Sequence, residues 1–557
     1  RRKKEAAQWT PVKNEESKKS HLDHRSYHPS RKRKPKAQDA ARLSSYLSRR
    51  SKHADARRDR DVLVVVAGRC RMTPTPDATG TPCCRVWSTD AIRDALTKTN
   101  QPISDEQCVC RSTGGEAEMV SSMKVCMVGA GVSGLASARE LLREGHDVTV
   151  VEQSSGVGGQ WLYDPSTDGG DPLGAAGAHS SMYASVRLVS PGELACFSDF
   201  LFFPSNDGTG DARARRYPGH AEFLRYIRDF CDVFGLMDVV RLNTKVLHVG
   251  LAPPLAADDA VKRWTVRWSR RGDCEGDAIT TEEVFDAVVV AVGQYTQPRL
   301  PTVNGMDKWS RRQLHSHSYR VPDSFHGEVV VIVGFHESGK DIALELSGVA
   351  REVHVSVKSM EGLTPAVSKA VARHHNLHLH LQIECLCEDG QVMFADGSCV
   401  VADSIIYCTG YDFSFPFLDT GGLLTVDDNC IGPLYEHTFP PALAPSLSFV
   451  GVPRLVLVPR FYEAQARWVA QVLSGRGPLP PEEEMLRAAE EYHRAREAAG
   501  VPRRLSHTIF FDMDYCDEFG TKHCGFPPLE GWKRDLLSSA VARLRDGDVE
   551  SYRDSDL

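Results

Sequence analysis

Two glycine-rich stretches have the spacing to hold a pyrophosphate against backbone. The first is Gly129-Ala130-Gly131-Val132-Ser133-Gly134. In such a loop Gly129 permits the tight turn, Gly131 lets backbone approach the phosphates, and Gly134 lets a helix pack close on the strand before it. Glu152 follows roughly 20 residues on, where an acid can hydrogen-bond ribose hydroxyls, with Gln153 next to it. The second stretch, Gly334-Phe335-His336-Glu337-Ser338-Gly339, keeps the first and last glycines but has His336 where a small residue is expected. Beyond it the ribose position carries Lys358 instead of an acid. A cation there suits a 2′-phosphate, so the second loop reads as an NADP(H) site. Gly158-Gly159-Gln160-Trp161 adds a glycine pair that lets backbone approach a flat ligand, and an indole that can cover it.

These residues need strands and helices to hold them. Val125 to Val128 is an apolar run of buried-strand length, and Leu135, Ala138, Leu141 and Leu142 then fall on one helical face until Gly145. Val148 to Val151 is a second buried strand ending at Glu152, which completes a strand–loop–helix–strand unit. The second unit repeats the plan, with a strand Val329 to Val333, a helix Lys340 to Leu346 and a strand Glu352 to Val357. The phosphates would sit at the helix N-termini, where free N–H groups and the helix dipole favour negative charge. Elsewhere the pattern predicts a helix His220 to Phe234, a strand-rich stretch Lys245 to Trp268, and strands Phe285 to Val292 and Val401 to Gly410. A helix Glu463 to Leu473 follows, and Gly525 to Leu557 reads as a proline turn, a short helix and a polar tail.

The chain of 557 residues has room for two or three domains. The first sixty residues hold 20 Lys/Arg against 7 Asp/Glu, so the remaining body is acidic, which argues against a nucleic-acid partner. Basic clusters such as Arg31-Lys32-Arg33-Lys34 and the lack of sustained apolar periodicity mark residues 1 to 120 as a disordered extension or a mis-joined upstream segment. The initial Arg, and Met119 and Met123 just before the first strand, agree with that reading. The rival reading of the basic run is a nuclear-localisation or nucleic-acid tail. Sixteen cysteines without framework spacing read as reduced thiols, and the expected compartment is the cytoplasm. No apolar run approaches the roughly 18 residues of a membrane span. His378-x-His380 and Cys385-x-Cys387, with His374 and His375 nearby, carry zinc-ligand types. Their period of two, alternating with Leu and Ile, predicts a half-buried hairpin, and no metal is expected.

Trp309-Ser310-Arg311-Arg312-Gln313-Leu314-His315-Ser316-His317-Ser318-Tyr319-Arg320 resembles the identifying motif of the flavin-containing monooxygenases, FxGxxxHxxxY/F-K/R. His315, Tyr319 and Arg320 match; Trp309 stands for Phe, and Arg311 replaces the glycine. The Gly159–Trp161 segment, Tyr407-Cys408-Thr409-Gly410-Tyr411 and Glu463-Ala464-Gln465-Ala466-Arg467-Trp468 are also similar to family marks. Lys522-His523-Cys524-Gly525-Phe526-Pro527-Pro528-Leu529-Glu530 resembles the plant branch, whose best-known members S-oxygenate methylthioalkyl glucosinolates.

That resemblance implies an α/β flavoprotein with two Rossmann-like dinucleotide-binding domains and the disordered extension ahead of them. The FAD domain would comprise residues 121–302 and 404–540, the NADP domain would be inserted at 303–403, and 541–557 would be a polar tail. Phe285–Gly293 and Val401–Tyr411 would be the paired crossing strands. It implies FAD at the first loop, NADPH at the second, and a C4a-hydroperoxyflavin that oxygenates a soft nucleophile such as a thioether or an amine, with O2 as co-substrate. Many members carry Asn in an Arg-Thr-Asn-x-Pro segment beside the flavin; here Arg187-Leu188-Val189-Ser190-Pro191 has Val189, so no catalytic side chain is assigned. The rivals are N-oxygenation of amines within the family, a disulfide reductase sharing the fold, and a non-catalytic nucleotide-binding protein. A disulfide reductase needs a Cys-x-x-Cys or Cys-x4-Cys pair beside the flavin, and none occurs after Met123.

Overall fold

Each glycine loop leaves the C-terminal end of the central strand of a five-stranded parallel sheet. The computed structural model describes residues 122–166, 170–175, 180–202, 216–254, 261–271, 278–361 and 363–554. The expectation for residues 1 to 120 lies outside them.

The first sheet has the order Leu447–Phe449, Ala287–Val290, Lys124–Val128, Asp147–Val151, Val240–Arg241, all parallel. Its central strand alternates between two cores, as a sheet covered on both faces requires. Val125 and Met127 pack with Leu135, Ala138 and Leu141 of the Val132–Arg143 helix and with the Val458–Leu473 helix. Cys126 and Val128 face the fully buried Trp264 and Val266 of an antiparallel layer, Thr244–Leu251, Trp264–Arg271 and Ala278–Phe285. Each such buried aliphatic side chain contributes about 1.5–3 kcal/mol relative to exposure.

The second sheet repeats the plan with the order Leu377–His380, Glu352–Ser356, Val329–Val333, Ser404–Tyr407, Arg312–His315, again all parallel. Val330 and Ile332 face Ile342, Ala343 and Leu346 of the Glu337–Leu346 helix. Val329 and Val331 face Trp309, Leu386, Phe394 and Tyr407.

Several elements differ from the sequence reading. Phe285 ends the antiparallel layer; at Asp286, which accepts from Lys124 N–H, the chain turns and Ala287 opens the parallel strand. His378 and His380 form no hairpin with the Cys385 segment. Leu377–His380 is the parallel edge of the second sheet, whereas Ile383–Leu386 pairs antiparallel with Gln391–Phe394 in a separate three-stranded sheet. A period of two fixes which side chains share a face but says nothing about the partner strand. The Val401–Gly410 run is also two pieces, Cys399–Val401 in that small sheet and Ser404–Tyr407 in the large one. The second sheet therefore extends past residue 403, and the change of unit falls after Tyr407. The antiparallel crossing pair is Gln297–Pro298 with Tyr411–Asp412, later in both connections than expected, and Arg299 ion-pairs Asp412 at 2.6 Å across it.

The polar tail is seated. The final helix runs over Gly531–Asp546, Val549 packs on Ala366, Val367 and Ala370, and Tyr552 is buried edge-on to Tyr217. Arg553 ion-pairs Asp341 of the Glu337–Leu346 helix at 3.0 Å, and Arg187 donates to the Arg553 carbonyl at 2.8 Å. No helix among the described residues is long and apolar enough to cross a membrane.

Candidate functional site

The first loop is built as its glycines require. Gly129 has φ +106°, and a Cβ there would lie 2.6 Å from the Ala291 carbonyl oxygen, so the turn rests directly on the end of the neighbouring strand. At Gly134 a Cβ would stand 1.9 Å from the Gly129 carbonyl oxygen, which lets helix and turn touch. Gly131 differs. Its backbone is extended, it caps the Val132–Arg143 helix, and a Cβ would meet only the Gly159 Cα, at 3.7 Å. Two glycine backbones thus face each other, and the Gly158 N–H donates to the Ala130 carbonyl at 2.9 Å to hold them there. The helix has no side-chain cap and no acid in its first turn, so its leading N–H groups have the orientation and charge an anion needs. Val132 and Ser133 are buried in that turn.

Glu152 is buried beneath the loop. Its Oε2 accepts from Ala130 N–H at 2.7 Å and its Oε1 from Ser154 N–H at 2.8 Å and Ser154 Oγ. A carboxylate has about four lone-pair sites, so Glu152 both pins the turn and keeps acceptor capacity for a ribose hydroxyl. Gln153 beside it is exposed. Trp161 is half-buried, edge-on to Phe223 at 4.6 Å.

The second loop reproduces the first. Gly334 has φ +97° with the Cys408 carbonyl oxygen 2.7 Å from its would-be Cβ, and Gly339 sits 2.0 Å from the Gly334 carbonyl oxygen by the same measure. His336 takes the Gly131 position: extended backbone, exposed, and making no side-chain cap bond. A side chain is therefore sterically tolerated there. Phe335 packs against the core beneath the helix, and Ser338 is half-buried. Glu337, an acid in the first turn of the helix, is ion-paired with Lys340 at 3.1 Å. The helix starts at Glu337 and not at Lys340, so the loop's own residues supply its first turn. Lys358 is exposed just past the Glu352–Ser356 strand.

The residues of the 309–320 motif brace the two units against each other. Arg320 donates to the carbonyls of Asp164, Ser180, His317 and Tyr319, at 2.6–3.1 Å. His315 is fully buried, and its Nε2 bonds the Gly410 carbonyl at 3.1 Å at the crossing connection. Burial, with His317 nearby, pushes its pKa down to about 3, so it is neutral and structural. Tyr319 donates to Glu345 at 2.7 Å. Arg311, in place of the glycine, lies over Gly390 and donates to the Ala402 and Asp389 carbonyls. The turn tolerates it because Gly390 leaves the space.

Two residues escaped the sequence reading. Gln294 is buried, and its Nε2 donates to the carbonyls of Gly451 and Pro453 at 2.7 and 2.8 Å. Gly451, at φ +98°, lies against Ser133 of the first loop's helix and donates its N–H to Gln465. Together they close the 447–453 turn over the first site. The signals available were polar Gln294 just past a buried strand and the match at Gln465. Val189 is exposed in a segment held by Arg187 and Arg553.

Thiol chemistry has little support. The ten cysteines among the described residues are all free, and burial pushes Cys408, beside Gly334, up to about 12.

The family described as "Flavin-binding monooxygenase-like" matches residues 122–370 and 376–528. The chain belongs to this family. It is 51% identical over 438 residues to flavin-containing monooxygenase FMO GS-OX-like 8 of Arabidopsis thaliana, a match covering 78% of this chain and 92% of that protein. It is 43% identical to FMO GS-OX5 of the same plant over 78% and 92% of the two chains. Among solved structures, S-allyl-L-cysteine S-oxygenase from Allium sativum is 41% identical, with a TM-score of 0.70 over 78% of this chain and 95% of that one. The protein is a flavin-containing monooxygenase, an oxidoreductase acting on a small molecule with O2, and its cofactors are FAD and NADPH. The two dinucleotide units fit that pair.

Proposed function

We propose that this flavin-containing monooxygenase is an S-oxygenase of thioether-bearing small molecules, with methylthioalkyl glucosinolate-like compounds the nearest class. One observation carries the reading: the likeness to an S-oxygenase at 41% identity, covering 95% of that protein. In this reading FAD occupies the first loop, Gly129–Gly134, with Glu152 on its ribose and Gly159 and Trp161 flanking it. NADPH occupies Gly334–Gly339, with Lys358 on the 2′-phosphate. Bound FAD supplies the activation of O2 at the cost of one NADPH. One oxygen atom forms the new S–O bond, the other leaves as water, and NADPH supplies the two electrons.

The protein's part is positioning and exclusion of water. The glycine turns bring backbone N–H groups to the phosphates. Arg320 and His315 hold the units in register, and Gln294 with Gly451 closes the turn over the first loop. Thioether sulfur is soft and polarisable and attacks an electrophilic oxygen without a base to activate it. That agrees with a site in which His315 is committed to a carbonyl and Val189 replaces a polar residue. The ten free cysteines among the described residues suit a reducing compartment, the cytoplasm.

The test is NADPH-dependent O2 uptake by the purified protein with thioethers, amines and thiols in parallel. Coupled turnover with thioethers supports the reading. Coupled turnover with amines alone would make the protein an N-oxygenase of the same family.

A further inference from the structure

Three ligand-type side chains meet at the edge of the second parallel sheet. Glu352 and His354 lie two apart on the Glu352–Ser356 strand and so share a face. His378 on the neighbouring strand is in register with His354, and the rings stack at 4.9 Å. The ligand atoms of Glu352, His354 and His378 all lie within 4.8 Å of one another. This group differs from the Cys/His run in the sequence, because Cys385 belongs to a different sheet and Cys387 to the turn that follows its strand.

A chain of hydrogen bonds fixes the tautomers. Ser398 gives its hydroxyl proton to Asp396, so its oxygen accepts from His380 Nδ1–H at 2.7 Å. His380 Nε2 is then the acceptor in its 2.9 Å contact with His354 Nδ1, which must carry the proton. That leaves a lone pair on His354 Nε2, facing Glu352 Oε2 at 3.0 Å. Two acceptors do not face each other at that distance without a cation between them.

We propose that Glu352, His354 and His378 bind a divalent cation of the zinc type, with His380 and Asp396 orienting His354 from behind. An N2O donor set in which His354 is buried and Glu352 and His378 are half-exposed leaves the fourth position to water, as in open tetrahedral sites. Bonds of about 2.0–2.1 Å place tetrahedral ligand atoms about 3.4 Å apart, which modest side-chain rotation reaches from the observed spacing. A ligating imidazole whose second nitrogen donates into a carboxylate-terminated relay is the usual outer support of such a site. The cation would pin the edge strand to the strand that leads to Lys358.

The test is calorimetric titration of chelator-treated holoenzyme with Zn(II), with flavin content as the check on folding. Thiols are controlled for by the Cys385→Ser/Cys387→Ser variant and exposed imidazole by His375→Ala. The expected result is one saturable site per chain that survives both controls, disappears in His354→Ala and in the more exposed His378→Ala, and weakens about 10–100-fold in His380→Ala. Undiminished binding in flavin-replete His378→Ala, or binding that vanishes with the two cysteines, would overturn the proposal and leave a proton as the bridging cation.

Discussion

Gly131 and Gly134 sit three residues apart and fail for different reasons when substituted. A Cβ at Gly134 collides with the Gly129 carbonyl at 1.9 Å, so Gly134→Ala should misfold the loop and lose flavin and stability together. At Gly131 the protein leaves room, 3.7 Å to the nearest atom, and what a side chain meets is the ligand. Gly131→Leu should therefore give colourless protein whose apo form unfolds within about 1 kcal/mol of apo wild type, the loss expected for an apolar residue at a helix N-cap. Full flavin retention in that variant would move FAD away from this loop. Lys358→Ala tests the second loop. Charge-assisted hydrogen bonds to a phosphate are worth about 1.5–3 kcal/mol, so the preference for NADPH over NADH should fall by tens to hundreds of fold, read as a ratio of kcat/KM values. An unchanged ratio places the 2′-phosphate elsewhere. The placing of the glycines, Glu152 and Lys358 at the ends of their strands was legible because it depends on local spacing. Gln294 and Gly451 were not, because they act on each other across 157 residues.

At the scale of elements, the first loop's helix is held by ions as well as by apolar contacts. Arg139, 2% exposed, ion-pairs Glu463 of the Val458–Leu473 helix at 2.8 Å and lies over the rings of Phe197, Phe230 and Phe234. Glu463 is fully buried and also accepts from Ser198 N–H at 2.7 Å. Breaking a buried pair from one side leaves an uncompensated charge, at about 3–5 kcal/mol. Glu463→Ala should cost near 3 kcal/mol in urea unfolding by that rule, Glu140 and Asp199 still facing Arg139. The exposed pair Arg494–Glu490, at 3.9 Å, should cost under about 0.5 kcal/mol by the same assay. Equal losses would mean that burial does not decide the strength of these pairs. Strands covered on both faces, such as Val329–Val333, announce themselves by continuous apolar runs. Helices that bury little do not. Glu482–Ala498 buries only Met485 and Ala489 and went unread, although Pro481 and three leading glutamates mark its start. The Met513–Cys524 helix was also passed over, with Asp512 as its cap and Gly525 as its left-handed stop.

For the whole molecule, the buried histidines set an acid limit. Burial holds His315 at about 3 and His437 at about 4, and holds His507, which shares a 2.9 Å contact with His437, well below its ordinary 6.5. In the unfolded chain each titrates near 6.5, so below that pH the unfolded state binds more protons and stability falls with falling pH. Between pH 6.5 and about pH 5 each such group removes up to about 2 kcal/mol. The melting temperature should be flat above neutrality and drop steeply below pH 6; a flat profile to pH 5 would contradict neutral burial. The family match begins at residue 122, and 78% of this chain covers 92% of the relative at 51% identity. A chain starting at Met119 should accordingly bind FAD and turn over as the full chain does, and loss of folding on that truncation would show the leading segment to be part of the body. Isotope labelling tests the S-oxygenation itself most directly. With a methylthioalkyl substrate, NADPH and 18O2, the sulfoxide should carry one 18O atom, one formed per NADPH consumed. Sulfoxide with unlabelled oxygen, or NADPH consumed with only hydrogen peroxide formed from every thioether offered, would contradict it.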